Sequence, residues 1–344
     1  MLYSLSEIRN IPILFIVGKG RSGTTLLSTI LDSHPKVASA TESRFLLILW
    51  QKYKRMKKWN AAKAEVFFED VLVDLRIKNL WEFEEDFMAN LKALPVETTA
   101  QDLIKLVYLQ RKSTFPKEKI EFIVDKNPMY TLFVDRIIDI FPEAKFYRLI
   151  RDPRDNIASH VKYSKNEVGM LAYKWNCYNQ HLNRFAKEND KQFFTQRFED
   201  LILDKSAFFK RFEDYTQIGK LLEYESKRLA FKDELQSKLN ERLKDQHQAS
   251  VKPLDKSKIG HYKKKLSKQQ IETIEGVCFP FAEQYGYSTA NQSDFSVKSK
   301  WKRRYNWQKN LSLIFYSIPF WLMKFVSQKI VKQVTYQEAN SPKK

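Results

Sequence analysis

The sequence GKGRSGTT, from Gly18 to Thr25, has the residue types of a turn that binds a phosphate group. Gly18 and Gly23 stand at the spacing of a Walker P-loop, but Thr24 replaces the lysine that holds the terminal phosphates of a nucleoside triphosphate. Backbone N–H groups at a helix N-terminus would still converge on an anion, and the helix dipole would favour it. Arg21 supplies a cation ahead of Gly23. The loop therefore predicts a site for a terminal anion other than the γ-phosphate of ATP.

A second candidate anion site lies about 130 residues further along the chain. It consists of Arg151, which follows a predicted strand, and Ser159, eight residues later. A guanidinium group and a hydroxyl form a good ligand set for phosphate. Because the carboxyl ends of parallel strands meet at one edge of a sheet, we expect Arg151 and Ser159 to lie at the same edge as Arg21.

These two segments together resemble the sulfotransferases that use 3′-phosphoadenosine 5′-phosphosulfate (PAPS). The first segment runs from RSGTTLL at Arg21 through LDSHP at Leu31 to ESR at Glu42. It is similar to the 5′-phosphosulfate loop of that family, and is closest to the tyrosylprotein branch and its bacterial relatives. The second segment, RDPR at Arg151 with Ser159, resembles the 3′-phosphate motif of the same family.

The resemblance covers roughly residues 13 to 287 and implies a P-loop-like fold with PAPS as the cofactor. It implies that the 5′ phosphosulfate is held by Arg21, Ser22, Gly23, Thr24 and Thr25. It also implies that Arg151 and Ser159 hold the 3′ phosphate. Lys258 resembles the late lysine that closes over the cofactor, with Lys252 in the same loop, and Ser250 is a candidate for a serine expected just upstream.

Catalytic roles also follow from the resemblance. Glu42 occupies the position of the catalytic glutamate and would be the general base that takes the proton of the acceptor hydroxyl. The alternative for Glu42 is a surface glutamate paired with Arg44. Lys126 matches a lysine whose ammonium supports the bridging oxygen, and Arg44 matches a position that touches the acceptor. The implied reaction is an in-line transfer of the sulfuryl group.

Two features of the sequence leave the acceptor open. Phe198 stands before Glu-Asp-Leu where the family often has a tyrosine, so the hydroxyl contact to the 3′ side of the adenosine is lost. The chain also lacks the anchor helix and the cysteine pairs of the Golgi enzymes of the tyrosylprotein branch. The expected acceptor is a hydroxyl-bearing saccharide, lipid headgroup or protein tyrosine.

The elements that must position these residues alternate between strands and helices. Short apolar runs predict strands at residues 13–17, 37–40, 120–124, 144–150 and 192–195. Helical spacing is predicted at residues 26–31, 131–140, from Pro153 onwards and through most of 206–243. This alternation predicts an α/β fold with three α/β/α layers around a central parallel sheet. Residues 45–112 are predicted to form a helical insertion with solvated basic faces.

Composition sets the broader limits. The chain has 344 residues, 43% of them hydrophobic, and its 60 Lys and Arg against 41 Asp and Glu give a net charge of +19. This composition excludes a disordered or collagen-like chain. The chain has only two cysteines, its N-terminus lacks a secretory pattern, and it has no apolar run of about 18 to 20 residues. These features predict a cytoplasmic protein. The scattered histidines predict no metal site.

We expect residues 1–290 to form the sulfotransferase domain and residues 291–344 to form a basic and apolar C-terminal tail. Cations alternate with aromatic residues between Lys298 and Lys309, and the segment from Leu311 to Val326 is almost wholly apolar. Such a tail fits peripheral contact with an anionic membrane at its inner face. The alternatives are a helix packed on the protein itself or on a second subunit of a homodimer.

Two other function classes compete with sulfotransfer. A P-loop kinase or NTPase would use the first loop, although Thr24 in place of lysine argues against it. A nucleic-acid-binding protein would use the positive charge and the aromatic residues of the tail, but it leaves the two anion motifs unexplained, so nucleic acid is not the expected partner.

Overall fold

Five parallel strands form the central sheet of the computed structural model, in which residues 2–40, 42–161, 163–164, 166–231, 252–288, 297–320 and 322 are described. The strands are β1 (Ile13–Val17), β2 (Val37–Ala40), β3 (Phe122–Lys126), β4 (Lys145–Ile150) and β5 (Phe193–Arg197). Their order across the sheet is β2-β3-β1-β4-β5. Because β1 lies between β3 and β4, the loops that follow these three strands lie side by side at the carboxyl edge of the sheet.

Helices lie on both faces of this sheet. Those in the first third of the chain are α1 (Leu5–Asn10), α2 (Thr24–Asp32), α3 (Phe45–Tyr53), α4 (Ala64–Val71), α5 (Leu75–Leu80), α6 (Phe87–Ala93) and α7 (Ala100–Leu109). Those that follow are α8 (Val134–Ile140), α9 (Pro153–Val161), α10 (Val168–Glu188), α11 (Phe198–Leu203), α12 (Lys205–Thr216), α13 (Leu221–Lys227), α14 (Lys268–Ala282) and α15 (Ser299–Phe315). Short 3₁₀ turns include Pro128–Leu132, Lys256–Lys258 and His261–Lys264.

The side chains of β1 alternate between two hydrophobic cores. Ile13, Phe15 and Val17 belong to the core that contains α3 and α7. Leu14 and Ile16 belong to the core that contains α2 and α12. A strand buried on both faces requires a layer of helices on each side. The predicted three-layer α/β/α fold with a central parallel sheet is confirmed.

The predicted strand bounds hold except at β3, and the helix predicted at residues 206–243 is divided into α12 and α13 up to the end of the described residues at 231. Strands β1 and β2 lie at their predicted residues, and β4 and β5 differ from the prediction by one or two residues at their ends. The prediction for β3 was wrong by two residues, because the apolar run was taken to stop before Asp125. In the structure Asp125 and Lys126 are buried strand residues that pair with Phe15 and Ile16 of β1. The next helix, α8, starts three residues late because a 3₁₀ turn precedes it.

The start of α9 follows the prediction closely. Pro153 is its first residue, and the Asp152 carboxylate accepts a hydrogen bond of 2.8 Å from the backbone N–H of Arg154. The helical character predicted for residues 45–112 is also confirmed, since helices α3 to α7 fall within that range. Residues 232–251, which include the candidate Ser250, lie outside the described part of the chain.

The C-terminal helix α15 packs on α10. Trp301 is buried against Gly169, where an added Cβ would come within 2.0 Å of the indole ring. The indole N–H of Trp301 also donates a hydrogen bond of 3.1 Å to Glu167. One of the alternatives predicted for the tail, a helix packed on the protein itself, is therefore present at residues 299–315.

The rest of the tail is described only in part. The predicted boundary at residues 290 and 291 falls within 289–296, outside the described residues, as do residues 323–344. The two-part division of the chain therefore stays a prediction. Within the described ranges, none of the helices combines the length and the apolar character needed to cross a membrane.

Candidate active site

The loop after β1 reverses the chain so that α2 begins with Thr24 at the carboxyl edge of the sheet. Three of its residues have a positive φ, Gly18 at 133°, Arg21 at 73° and Gly23 at 88°. Any side chain at position 23 would also clash, because a Cβ there would lie 2.2 Å from the ring of Phe198. The loop therefore brings the N-terminus of α2, with its free backbone N–H groups, to the edge where β3 and β4 also end.

The two predicted anion motifs meet at this edge. The Arg21 guanidinium donates a hydrogen bond of 3.3 Å from Nε to the Ser159 hydroxyl. Arg151 in turn donates a hydrogen bond of 3.3 Å to the backbone carbonyl of Arg21. Residues about 130 positions apart in the sequence are thus in direct contact, as expected from the ends of adjacent parallel strands.

Arg151 lies buried beneath this edge with 7% of its surface exposed. Its guanidinium lies over the ring of Phe198 at 4.6 Å from the ring centroid, which fixes the plane of the group. Its Nε atom is buried and has no hydrogen-bond acceptor among the described residues. Burial lowers the pKa of Arg151, although Asp155 and Glu199 oppose the shift. A buried cation with an unused donor is a suitable ligand for an anion.

Arg21 faces the same region. Burial lowers the pKa of the Arg21 guanidinium, and the nearby Arg151 cation lowers it further. The group also lies over the ring of Tyr163, 5.1 Å from the centroid. The guanidinium groups of buried Arg151 and half-buried Arg21 disfavour each other electrostatically, and an anion between them would stabilise both.

Asn156 was missed by the sequence analysis, although it holds the loop in place. Its side-chain amide donates hydrogen bonds of 3.0 Å to the Gly20 carbonyl and to the Ser22 hydroxyl. The Ser22 hydroxyl therefore faces Asn156, which leaves the backbone N–H of Ser22 as the group that could contact a ligand. The signal was present in the sequence, since Asn156 lies three residues before Ser159 on the same face of α9.

Lys126 joins the loop to the predicted base. Its ammonium donates a hydrogen bond of 3.1 Å to the Thr25 hydroxyl and another of 2.7 Å to Oε1 of Glu42. The residue is almost fully buried at the end of β3, with 1% of its surface exposed. The structure therefore brings together Thr25, Lys126 and Glu42, three of the residues that the resemblance implied.

Glu42 has a second cationic partner that the sequence did not indicate. Arg76, in α5 of the helical insertion, donates a hydrogen bond of 2.8 Å to Oε2 of Glu42. Burial raises the pKa of the Glu42 carboxyl, but Lys126 and Arg76 outweigh burial and hold the pKa well below its usual range. A single arginine in a long insertion carries no spacing signal, which is why Arg76 could not be found from the sequence. The alternative pairing of Glu42 with Arg44 is not the one that the structure shows.

Arg44 lies at the N-terminal end of α3. Its backbone N–H donates a hydrogen bond of 2.5 Å to the carboxylate of Asp74. Its guanidinium lies 5.8 Å from the ring centroid of Tyr316, a fully buried residue that follows α15. The C-terminal segment therefore forms part of the wall next to Arg44, which the sequence analysis did not predict.

Lys258 reaches the site through its backbone. The Lys258 carbonyl accepts a hydrogen bond of 2.8 Å from Arg151, while its ammonium lies 3.4 Å from Asp255. Asp155 fastens the same segment, because its carboxylate accepts hydrogen bonds of 2.7 and 2.8 Å from the N–H groups of Gly260 and Tyr262. Arg151 and Asp155 thus each hold the segment that carries Lys258 in place.

No group of three or more His, Cys, Asp or Glu side chains in the described ranges is arranged to hold a metal ion. The prediction of a site without metal stays a prediction. Cys177 is half-buried and Cys278 is buried, and both are free thiols.

The fold and this edge define an α/β protein with a P-loop-like anion site at the N-terminus of α2. The site places two arginines, a lysine and an ionised carboxylate around that helix end. The chain belongs to the sulfotransferase family, whose family model matches residues 12–219. The prediction of this family from the two motifs is confirmed.

Relatives in the family include animal enzymes and bacterial domains. Protein-tyrosine sulfotransferase 1 of Rattus norvegicus is 22% identical over 179 residues, which are 52% of this chain and 41% of the relative. Protein-tyrosine sulfotransferase A of Caenorhabditis elegans is 23% identical over 294 residues, 81% of this chain and 68% of the relative. The sulfotransferase domain from the Synechococcus PCC 7002 olefin synthase has a TM-score of 0.48 and 17% identity, and covers 81% of this chain and 95% of that one.

The match thus spans about two fifths of the length of the rat relative. The predicted relation to the tyrosylprotein branch agrees with the two animal relatives. None of them assigns a role to a particular residue of this chain. The roles of the candidate residues therefore stay predictions.

Proposed function

We propose that the protein transfers the sulfuryl group of PAPS to an acceptor hydroxyl. The observation that carries this proposal is the Lys126 ammonium, which lies 3.1 Å from the Thr25 hydroxyl at the N-terminus of α2 and 2.7 Å from Glu42. It joins an anion site to a carboxylate that can take a proton. Membership of the sulfotransferase family supports the same reaction.

The residues present fit the two charged ends of PAPS. The unused Nε donor of buried Arg151, with the Ser159 hydroxyl, suits the 3′ phosphate. The N-terminus of α2, with Arg21 close by, suits the 5′ phosphosulfate. When bound, PAPS supplies the sulfuryl group on a phosphate leaving group. Lys258 lies on the segment fastened to Arg151 and would cover the same ligand.

Each residue near α2 would then have a definite task. The backbone N–H groups of Gly23, Thr24 and Thr25 orient the anion and stabilise charge that develops on the leaving oxygen. Lys126 donates to that oxygen, and Arg44 holds the acceptor. Glu42 orients the acceptor hydroxyl and takes its proton.

The ion pairs of Glu42 bear on its strength as a base. While Lys126 and Arg76 both contact the carboxylate, its pKa is low and it is a weak proton acceptor. If Lys126 turns towards the leaving oxygen, Glu42 keeps only Arg76, and loss of the nearer cation raises its pKa. The rearrangement would therefore strengthen the base and stabilise the leaving group in one movement.

The proposal specifies the chemical group of the acceptor but not the molecule that carries it. We propose a hydroxyl on a saccharide, a lipid headgroup or a protein tyrosine, and the names of the relatives mention only protein tyrosine. A cytoplasmic location, contact with an anionic membrane and a homodimer stay proposals of the same kind. The membrane contact depends on the basic helix α15.

Isothermal titration calorimetry with adenosine 3′,5′-bisphosphate, the product nucleotide, tests the proposal without an acceptor. We expect the nucleotide to bind wild type, and Arg21→Ala to weaken binding by about tenfold or more because a charge-assisted contact is lost. Arg55→Ala, at an exposed cation of the insertion, is the matched control and should bind like wild type.

Tight binding of ATP with magnesium, and no binding of the bisphosphate, would overturn the proposal in favour of a kinase or NTPase. Salt-dependent binding of RNA or DNA without bisphosphate binding would favour a nucleic-acid protein. Incubation with sulfur-labelled PAPS and a host extract then identifies the acceptor by the fraction that becomes labelled.

A further inference from the structure

Helix α15 leaves one of its faces without a partner among the described residues. Its inner face is buried and consists of Trp301, Tyr305, Ser312 and Phe315. On a solvent-exposed side of the helix, Trp307 and Ile314 are each 60% exposed and Leu311 is 37% exposed. These three residues are spaced by four and three positions, so they form one stripe along the outer face of the helix.

Cations surround the apolar stripe. Lys302, Arg303 and Arg304 are exposed on the first turns, and no carboxylate in the described ranges forms an ion pair with them. Lys300 is the cation of this helix that is paired, through a contact of 2.8 Å with Glu167. The sequence has no acidic residue from Phe295 to Gln337, so the positive charge of this face is not balanced along the chain.

A groove lies along the start of the helix. It has a volume of about 520 Å³ and is lined by Tyr173, Val297, Ser299, Lys302, Arg303 and Asn306. A groove bordered by a lysine and an arginine can take an anionic headgroup, while the exposed tryptophan and aliphatic side chains suit the region between headgroups and acyl chains.

The start of α15 packs on the beginning of α10, and the residue that follows its end lies beside Arg44. At its start, Trp301 contacts Gly169 and Glu167, which come shortly after α9. After its end, the ring of Tyr316 packs on Phe133 at 5.2 Å and lies beside Arg44. Phe133 follows β3 and Arg44 follows β2, so the C-terminal end of the helix lies near the proposed acceptor side.

We propose that the outer face of α15 docks on an anionic lipid bilayer and so presents the acceptor side of the site, at Glu42 and Arg44, to hydroxyl groups at the membrane surface. Charge complementarity and the exposed apolar stripe favour a bilayer over a soluble partner. The docking surface is independent of the proposed sulfotransfer, whereas the presentation of an acceptor depends on it.

Flotation with vesicles tests the docking surface in the full chain. We expect wild type to bind vesicles of phosphatidylcholine with phosphatidylglycerol, to bind pure phosphatidylcholine poorly, and to be released by high salt. The triple variant Lys302→Gln, Arg303→Gln, Arg304→Gln should lower partitioning on the order of 100-fold, since each basic residue near an anionic surface strengthens binding several-fold.

The triple variant Lys54→Gln, Arg55→Gln, Lys57→Gln removes the same charge from exposed sites in the insertion and is the matched control. It should bind vesicles almost like wild type. A second variant, Trp307→Ser with Ile314→Ser, should weaken binding while its salt dependence stays unchanged. Equal losses in the control and in the α15 triple variant, or equal binding to neutral and anionic vesicles, would overturn the proposal. Preferred binding of RNA by the same face would overturn it too.

The product nucleotide separates the two proposals. If adenosine 3′,5′-bisphosphate binds while vesicles do not, the docking surface is wrong and the sulfotransferase proposal stands. If vesicles bind while the nucleotide does not, the sulfotransferase proposal is wrong and the docking surface stands. With sulfur-labelled PAPS and host membranes, label in the lipid extract supports presentation of a membrane acceptor, and label confined to soluble molecules contradicts it.

Discussion

The contact between Lys126 and Glu42 stabilises the buried lysine but lowers the proton affinity of the carboxylate. A lysine buried at the end of β3 needs an anionic partner, and Glu42 supplies one at 2.7 Å. A carboxylate held by two cations is ionised, which a base must be, but it binds a proton weakly. If Glu42 is the base, this pairing keeps its proton affinity low until an anionic ligand at α2 competes for Lys126.

Glu42→Gln tests the role of the carboxylate directly. The amide keeps the shape and can still accept a hydrogen bond from Lys126, so we expect binding of the product nucleotide to change less than about threefold. Sulfotransfer should fall by about 10²–10⁴, the usual contribution of a general base. Single-turnover transfer of labelled sulfate measures the effect. Unchanged transfer would remove Glu42 as the base.

Asp125, next to Lys126 in β3, should make stability depend on pH. Burial raises the pKa of its carboxyl to about 7, against the hydrogen bond from Tyr108, which opposes the shift. A carboxyl whose pKa is higher in the folded state stabilises the fold at low pH, and this stabilisation is lost as pH rises from about 4 to about 7. The loss is about 4 kcal/mol at most.

Asp125→Asn removes that titration while keeping an acceptor for Tyr108. Relative to wild type, we expect the variant to gain free energy of unfolding at pH 8 and to gain little at pH 4. Urea unfolding at both pH values measures the difference. A difference between the two proteins that is the same at pH 4 and pH 8 would show that Asp125 keeps an ordinary pKa.

At the scale of elements, the loop and α2 depend on a close contact with α11. Gly23→Ala places a Cβ 2.2 Å from the ring of Phe198 and also forces a left-handed φ of 88° on an alanine. We expect a loss of stability of about 1–3 kcal/mol together with weaker binding of the product nucleotide. Gly219→Ala, with open space around its Cβ and no positive φ, is the control and should be neutral.

Thermal unfolding and calorimetry of the two variants measure both effects. If Gly23→Ala binds the nucleotide as wild type does, the backbone of this loop is not the anion site.

The parts of the fold that the sequence predicted are those with a local signal. The buried strands and the cap at Asp152 follow from runs and spacings within a few residues of each other, and they appear where expected. The end of β3 does not lie where it was predicted, because the burial of Asp125 and Lys126 is decided by the neighbouring strands rather than by their own polarity. Propensity is overridden there by tertiary context.

The same distinction holds for the site. Arg21, Arg151 and Ser159 lie in motifs and meet as predicted. Arg76 and Tyr316 reach Glu42 and Arg44 from helices whose placement no short pattern specifies. Long-range packing of this kind requires the fold, so sequence reasoning recovers the anion side of the site better than the acceptor side.

At the scale of the whole molecule, Arg151 connects four segments. It follows β4, precedes α9, and donates hydrogen bonds to the loop after β1 and to the segment that carries Lys258. A ligand that binds Arg151 and the N-terminus of α2 together would tie these segments to one another. Such a ligand should stabilise the complete fold and not only the loops that it touches.

Adenosine 3′,5′-bisphosphate should therefore raise the unfolding temperature. At about 100 times its dissociation constant, a ligand that binds only the folded state adds about 2.7 kcal/mol, which corresponds to a rise of several degrees. Arg151→Ala should abolish most of the rise at the same concentration, since both its phosphate contact and its hydrogen bonds to the two loops are lost. Differential scanning calorimetry measures the effect.

The net charge of +19 adds a condition to this experiment. Attraction of the bisphosphate by the field of the protein weakens as salt shortens the Debye length, so the temperature rise at a fixed ligand concentration should shrink between low and high salt. The buried contacts to Arg151 are screened less, so part of the rise should persist at high salt. A rise that disappears entirely at high salt, or that ATP with magnesium reproduces in full, would mean that the nucleotide is held by surface charge. It would not then be held by Arg151 and the N-terminus of α2.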